Sequence, residues 1–319
     1  LDLSNVNLLV LDEADRMLEM GFQTSLDKVI DAIPARRQTL LFSATYPQQI
    51  QHIAKKITQN PVTIQIAEKH DETSIAQHFY NVPESGRIQA IQSLLMDKQP
   101  ESCVIFCNTK IETVNVAEQL ASLGFSVLCL NGDLEQRERE QILVRFANKS
   151  ASVLVATDVA ARGLDIESLD AVINYELSHD PEVHVHRVGR TGRAGSKGIA
   201  ISFFSNKDGG KLAALEAYTN STITEEEWFV SSGINGKIPS PSMVTIRIDG
   251  GKKQKVRPGD IVGALTGDNG IAFEQIGKID MYDNWAFVAV ARDAAKPALK
   301  KISEGKLKGR SFRVRRLRG

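Results

Sequence analysis

The chain has 319 residues, 42% of them hydrophobic, which is enough for two or three packed domains. Lys plus Arg and Asp plus Glu both number 39, so the formal charge is zero, yet residues 240–319 hold 17 basic against 8 acidic side chains, a basic end on an acidic body that predicts a polyanion-binding module. No stretch reaches membrane-spanning length and no signal peptide is visible, so the expectation is a cytoplasmic protein with no membrane partner.

Residues 6–11 are an apolar run ending in acids, as expected of a buried parallel strand whose active edge lies at its C-terminal end. Residues 40–42 repeat the pattern before Ser43. The chain opens without Met and enters this run at once, so residues 1–67 are expected to be the second half of an open α/β domain, cut inside it. Residues 68–76 read as a linker. A second α/β unit is expected over 77–230, with strands at 104–107, 125–130, 153–156, 171–174 and 199–204. Between the first two, Ile111, Val114, Ala117 and Leu120 space as one helix face, and Gly124 ends the helix. The thiols of Cys103, Cys107 and Cys129 fall in these apolar runs without zinc spacing, so they read as buried. Residues 231–241 turn to Ser, Gly, Asn and Pro, a second linker. Over 242–319 the expected order is strand 243–248, helix 259–265, strands 276–280 and 286–291, helix 294–302 and strand 310–317, a split β-α-β pattern.

The chemistry sits at strand ends. Asp12-Glu13-Ala14-Asp15 places adjacent carboxylates where one can hold a metal and the other orient water, although acids also favour helix starts for dipole reasons alone. Ser43-Ala44-Thr45 is a hydroxyl-bearing turn. Arg190 and Arg193 are three apart, so on a helix both would reach one phosphate with guanidinium forks. The bland reading of that pair is surface ion pairing. Thr157 and Asp158 follow the strand at 153–156, at the edge where α/β sheets bind ligands. Asn108 and Thr109, then Gly132, Asp133 and Arg139, occupy helix starts whose N–H groups suit phosphate, and predict an RNA-backbone path.

In this order, the stretches 12–15, 43–45, 157–165 and His186-Arg187-Val188-Gly189-Arg190-Thr191-Gly192-Arg193 resemble the DEAD-box RNA helicases. The resemblance implies that Asp12 holds Mg²⁺ through water and that Glu13 positions and deprotonates the attacking water. It makes Arg190 and Arg193 arginine fingers acting from a second lobe. Asp15, Ser43, Thr45, Asp158, Arg162 and His186 become coupling residues, Gly163 and Asp165 lie by the nucleotide, and Thr157 touches RNA phosphate. The cofactors are then ATP and Mg²⁺. The implied fold is α/β: part of one RecA-like domain, a complete second RecA-like domain with a parallel sheet, and a small α+β, RRM-like C-terminal domain. The family more often has His where Asn131 stands.

The tail resembles the RNA-recognition domain of the DbpA group of these helicases, through 257–267, 276–279 and 305–310. That implies 23S ribosomal RNA in pre-50S particles as the partner, a role in large-subunit assembly, and a monomer. Lys306, Lys308, Arg310, Arg313, Arg315 and Arg316 are the expected phosphate contacts. Trp285 and Phe287 alternate on one strand face, where they either stack bases or pack internally. No Gly-Lys pair is followed by Ser or Thr, so the phosphate-cradling P-loop is missing and this polypeptide alone is expected to hydrolyse ATP negligibly. The alternative reading is a noncatalytic RNA-binding protein that keeps the second lobe and the tail.

Overall fold

Two parallel strands, β1 (Leu8–Leu11) and β2 (Gln38–Leu41), pair at the centre of the first of two units in the computed structural model, Leu1–His70 and Asp71–Gly319. The structure describes residues 2–19, 21–43, 46, 48–65, 75–161, 169–192, 197–228 and 236–317. Both strands are displaced from their sequence-based bounds: β1 starts later because Val6 N–H closes a turn onto Leu3 O at 3.2 Å. Helices α1 (Ala14–Glu19), α2 (Gln23–Ala32) and α3 (Gln48–Ile57) complete the unit. Leu9 and Leu11 pack with Leu26, Ile50, Ile53 and Ile57, the last three at helical spacing on α3. On the opposite strand face Leu8 and Val10 are 46% and 49% exposed, so this apolar run is buried on one side rather than both.

The second unit holds a seven-stranded sheet in the order β5-β6-β4-β7-β8-β3-β9, parallel at every pairing. In chain order the elements are β3 (Ile75–Asn81), α4 (Arg87–Lys98), β4 (Cys103–Phe106), α5 (Lys110–Ser122), β5 (Val127–Leu130), α6 (Gln136–Ala147), β6 (Val153–Ala156), α7 (Asp158–Ala161), β7 (Ala171–Asn174), α8 (Pro181–Val188), β8 (Gly198–Phe204), α9 (Gly209–Thr219) and β9 (Glu225–Glu227). Alternate residues of the central strands feed two cores: Cys103, Ile105, Val153 and Val155 into one, Val104, Phe106, Leu154 and Ala156 into the other. Burial on both faces is why these strands read as continuous apolar runs. It also pushes the thiols of Cys103 and Cys107 well above their ordinary pKa.

The face of α5 differs from the sequence reading. Ile111 is 83% exposed and Val114 38%, whereas Thr113, Val116, Ala117 and Leu120 are buried. Thr113 tolerates burial because its hydroxyl donates to Thr109 O at 2.8 Å. The strands β3 and β9 have no counterpart in the sequence reading, and β9 is three glutamates on the sheet edge.

The last part of this unit runs β10 (Met243–Ile248), α10 (Pro258–Thr266), β11 (Ile276–Met281), β12 (Ala286–Ala291), α11 (Ala295–Glu304) and β13 (Val314–Arg316), with an antiparallel sheet ordered β11-β12-β10-β13. Val244, Ile246, Ile248, Val288 and Val290 pack on Ile261, Leu265, Ala298 and Ile302 of the two helices. The final strand is shorter than expected. Residues 307–310 form a turn with positive φ at Lys308 and Gly309 (51° and 75°), closed by Leu307 N–H donating to Arg310 O at 2.8 Å. The expected linkers fall largely on residues outside the described ones, at 66–74 and 229–235.

Candidate functional site

In the first unit, Asp12 and Glu13 follow β1 directly and both are exposed. Asp12 Oδ1 accepts the Glu13 N–H at 3.0 Å, and Glu13 sits at φ 50°, a left-handed conformation that a non-glycine residue adopts at an energetic cost and that concentrates at functional sites. Helix α1 begins next. Ala14 N–H donates to Phe42 O at 3.0 Å and Asp15 N–H donates to Ser43 Oγ at 3.2 Å. The acid-bearing turn and the serine turn are therefore stitched together, and Asp15 is buried behind them. Thr45 lies outside the described residues.

Among the described residues no three His, Cys, Asp or Glu side chains converge as a metal cage. Mg²⁺ does not need one, since it is commonly held by one or two carboxylates together with substrate phosphates and water. An exposed Asp12 at a strand's C-terminal edge fits that mode.

In the second unit the C-terminal ends of β4, β6 and β7 meet around Arg187, whose side chain is 1% exposed. Its Nε and Nη2 donate to Asp158 Oδ1 and Oδ2 at 2.7 and 2.8 Å. Nη2 also donates to Asn108 Oδ1 at 2.8 Å, and Nη1 donates to Glu176 O at 3.1 Å and Asn174 Oδ1 at 3.4 Å. The guanidinium lies 5.3 Å from the centroid of the Phe106 ring. One buried cation thus fixes two residues singled out by sequence, Asn108 and Asp158. Sequence reasoning gave Arg187 itself no role. Its only signal was its place beside His186 in the arginine-rich stretch.

The neighbouring residues are equally committed. Thr109 caps α5, its hydroxyl accepting Glu112 N–H at 3.1 Å. Thr157 is buried, and its hydroxyl accepts Ala160 N–H at 3.4 Å. Helix α8 ends at Val188, so the helical premise for Arg190 fails. Gly189 is the C-cap, Arg190 N–H turns back onto Arg187 O at 3.1 Å, and Gly192 takes φ 66°. Arg190 and His186 are half-exposed. His184, one turn earlier, is buried and stacks on Phe79 at 5.7 Å, and neither ring nitrogen has a hydrogen-bond partner among the described residues. Burial first, and Arg187 second, lower its pKa to about 4. Arg162, Gly163, Asp165 and Arg193 lie outside the described residues.

Along the expected backbone path, Asp133 is paired with Lys110 Nζ and its N–H donates to Asn131 Oδ1 at 3.0 Å. Asn131 therefore shapes the turn at Gly132. Arg139 Nη2 donates to Ala160 O at 2.6 Å, bracing α6 against α7. In the tail, Lys306, Lys308, Arg310, Arg313, Arg315 and Arg316 are all exposed. Lys308 is engaged with Asp260 (3.5 Å) and with Lys255 O (3.0 Å). The aromatic pair divides: Phe287 is fully buried, and Trp285 carries the guanidinium groups of Arg137 and Arg247 over its ring at 5.3 and 5.0 Å.

Family models match three stretches: a DEAD/DEAH box helicase over residues 1–53, a helicase conserved C-terminal domain over 86–195, and a DbpA RNA binding domain over 245–316. Among solved structures, Saccharomyces cerevisiae Dbp5 bound to RNA and ADP BeF3 is 32% identical with a TM-score of 0.63, over 72% of this chain and 61% of that one. The chain belongs to the DEAD-box ATP-dependent RNA helicases. Within that family it is of the DbpA type: it is 49% identical over 99% of its length to the ATP-dependent RNA helicase DbpA of Escherichia coli. It is also 34% identical over 98% to that of Bacillus subtilis. It spans 69% and 70% of those two relatives' length.

Proposed function

We propose that the chain is the RNA-engaging part of an ATP-dependent helicase directed to 23S ribosomal RNA and acting, as a cytoplasmic monomer, in assembly of the large ribosomal subunit. The observation that carries the reading is the match of 245–316 to the DbpA RNA binding domain together with six exposed cations over 306–316. The rRNA target comes from the family resemblance. We divide the chain into 1–67, the C-terminal part of a first RecA-like domain; 77–230, a second; and 242–319, an RRM-like domain, with linkers at 68–76 and 231–241.

In this reading Asp12 would hold Mg²⁺ through water, and the bound ion would supply neutralisation of phosphate charge. Glu13 orients and deprotonates the water that attacks the γ-phosphate. Its left-handed backbone keeps that carboxylate at the strand edge ahead of the helix. Arg190 and Arg193 stabilise the transferring phosphoryl group. Gly163 and Asp165 lie by the nucleotide, and Asp15, Ser43, Thr45, Asp158, Arg162 and His186 couple it to RNA. Asn108, Thr109, Gly132, Asp133, Arg139 and Thr157 line the RNA backbone. The hydroxyls of Thr109 and Thr157, the Asn108 side-chain amide and the N–H groups of Asn108 and Asp133 are all engaged in internal hydrogen bonds. The 319 residues contain no P-loop, so this polypeptide by itself hydrolyses ATP negligibly. That same absence is what favours the second reading, a noncatalytic RNA binder.

Crosslinking the chain to total RNA and sequencing what is recovered tests the target. Enrichment of large-subunit rRNA is expected. Recovery in proportion to RNA abundance removes the 23S assignment and leaves the family membership standing.

A further inference from the structure

A four-stranded sheet with both helices on one side presents its other face to whatever covers it. Here the inward positions of β10 and β12 are Val244, Ile246, Ile248, Val288 and Val290. Their neighbours Thr245, Arg247, Phe287 and Ala289 point the other way, yet they are 0%, 4%, 0% and 1% exposed. The cover is α6 and the turn after it. Arg137, in the first turn of α6, lies over Trp285. Further along the helix, Glu140 acts electrostatically on Tyr282, whose ring stacks on Trp285 at 6.0 Å and meets Phe287 edge-on at 5.6 Å. Past the helix end, Asn148 Nδ2 donates to Thr245 Oγ1 at 3.4 Å, and Ser150 Oγ and Thr245 Oγ1 are 2.6 Å apart. Lys149 O accepts Met243 N–H at 3.3 Å.

These contacts run the length of α6 and use both of the aromatics that a base-stacking sheet would need free. Asn148 and Ser150 pair across the seam with Thr245, while Asn148 Oδ1 and Arg247 Nη1 are buried there without a hydrogen-bond partner among the described residues. The basic residues of the final segment lie at the rim of this face: β13 is an edge strand, with Arg315 and Arg316 on it and Arg313 just before it exposed. Its Arg315 pairs in register with Arg247, the residue shared with Arg137 at Trp285. That brings the cationic edge beside the start of α6, the same helix start to which the backbone-path residues Gly132 and Asp133 lead.

We propose that the outer sheet face of residues 243–316 is an internal docking surface held closed on α6, and that RNA is bound along the β13 edge with this seam shut. The inference rests on the RNA-binding reading above. It makes the second lobe and the tail one rigid RNA-binding body, with a phosphate track continuing from β13 onto the α6 start. Bases do not enter between Trp285, Phe287 and the lobe.

The test is a lock. In the full chain carrying Ser150→Cys and Thr245→Cys, oxidised glutathione is expected to close the disulfide by thiol–disulfide exchange, being reduced itself, because the two side chains already meet at 2.6 Å. Affinity for a 23S rRNA transcript at low salt is then compared between oxidised and reduced protein. The seam-shut mode predicts a difference below about fivefold, less than the loss of one stacked base. A loss of about fivefold or more on oxidation, restored by reductant, shows that the sheet face must open and overturns the proposal. Failure of the pair to oxidise also overturns it. Reduced protein that binds no RNA at all removes the RNA-binding reading itself, a different outcome. As a second variant, Trp285→Ala is expected to keep affinity within the same fivefold limit, whereas a base platform would lose more.

Discussion

Arg187 donates through Nε and Nη2 to both carboxylate oxygens of Asp158, at 2.7 and 2.8 Å, and so joins α8 to the residue two positions beyond the end of β6. The fork geometry suits only a guanidinium, and three more acceptors take the remaining N–H groups. Removing one partner of such a buried pair leaves an uncompensated charge, which costs about 3–5 kcal/mol. Arg187→Ala is therefore expected to lower the stability of the second unit by about 3 kcal/mol in urea unfolding. Arg187→Lys should rescue little, because an ammonium cannot bridge Asp158 and Asn108 together. A lysine variant of native stability would show that the charge alone suffices.

His184 supplies a pH dependence. Its pKa falls from the ordinary 6.5 to about 4, from burial and then from Arg187. As pH drops below 6.5 the unfolded chain takes up a proton that the folded ring refuses until about 4. Stability is thus complete above the ordinary value and is lost toward the folded one, by about 3 kcal/mol across that window. His184→Gln should flatten this limb in denaturation curves taken at successive pH values. An unchanged limb would place the titration elsewhere.

The link between the two turns of the first unit can be read at one amide. Asp15 N–H has Ser43 Oγ as its acceptor at 3.2 Å. Ser43→Ala is expected to speed hydrogen exchange at Asp15 about fivefold, matching the ~1 kcal/mol of a typical hydrogen bond. Equal exchange in both proteins would mean the serine does not hold the turn.

Phosphate contacts on the basic edge are expected to appear in the salt dependence of binding. Replacing Arg310, Arg313 and Arg316 with Ala should reduce the slope of log K against log salt by about 2, since each contact contributes roughly 0.7–0.9. A slope unchanged by the triple substitution would locate the phosphates elsewhere.

Much of this was legible in the sequence, and the misses have physical causes. The central strands of the parallel sheet announced themselves because both faces are buried, whereas β9, three glutamates on an edge, carries no apolar signal at all. On α5 the apolar spacing of Ile111 and Val114 pointed to a face that is exposed, because buried Thr113 hides its hydroxyl in a bond to its own helix. Arg187 went unnoticed since a charged residue gives no warning of burial until its acceptors, drawn from positions 108, 158, 174 and 176, are brought together by the fold. Trp285 was ambiguous for the same reason: only the tertiary approach of Arg137 shows what covers it.

Glu13 and Arg190 are each proposed to serve RNA-dependent phosphoryl transfer. RNA-stimulated phosphate release, measured on this chain alone and on the chain extended at its N-terminus by a P-loop-bearing segment, tests this most directly. Negligible release is expected from the chain alone and RNA-dependent release from the extended one. Glu13→Gln or Arg190→Ala in the extended protein should then cut the rate by about a hundredfold or more while leaving RNA affinity unchanged. Comparable release from the unextended chain, or full activity in either variant, would contradict it.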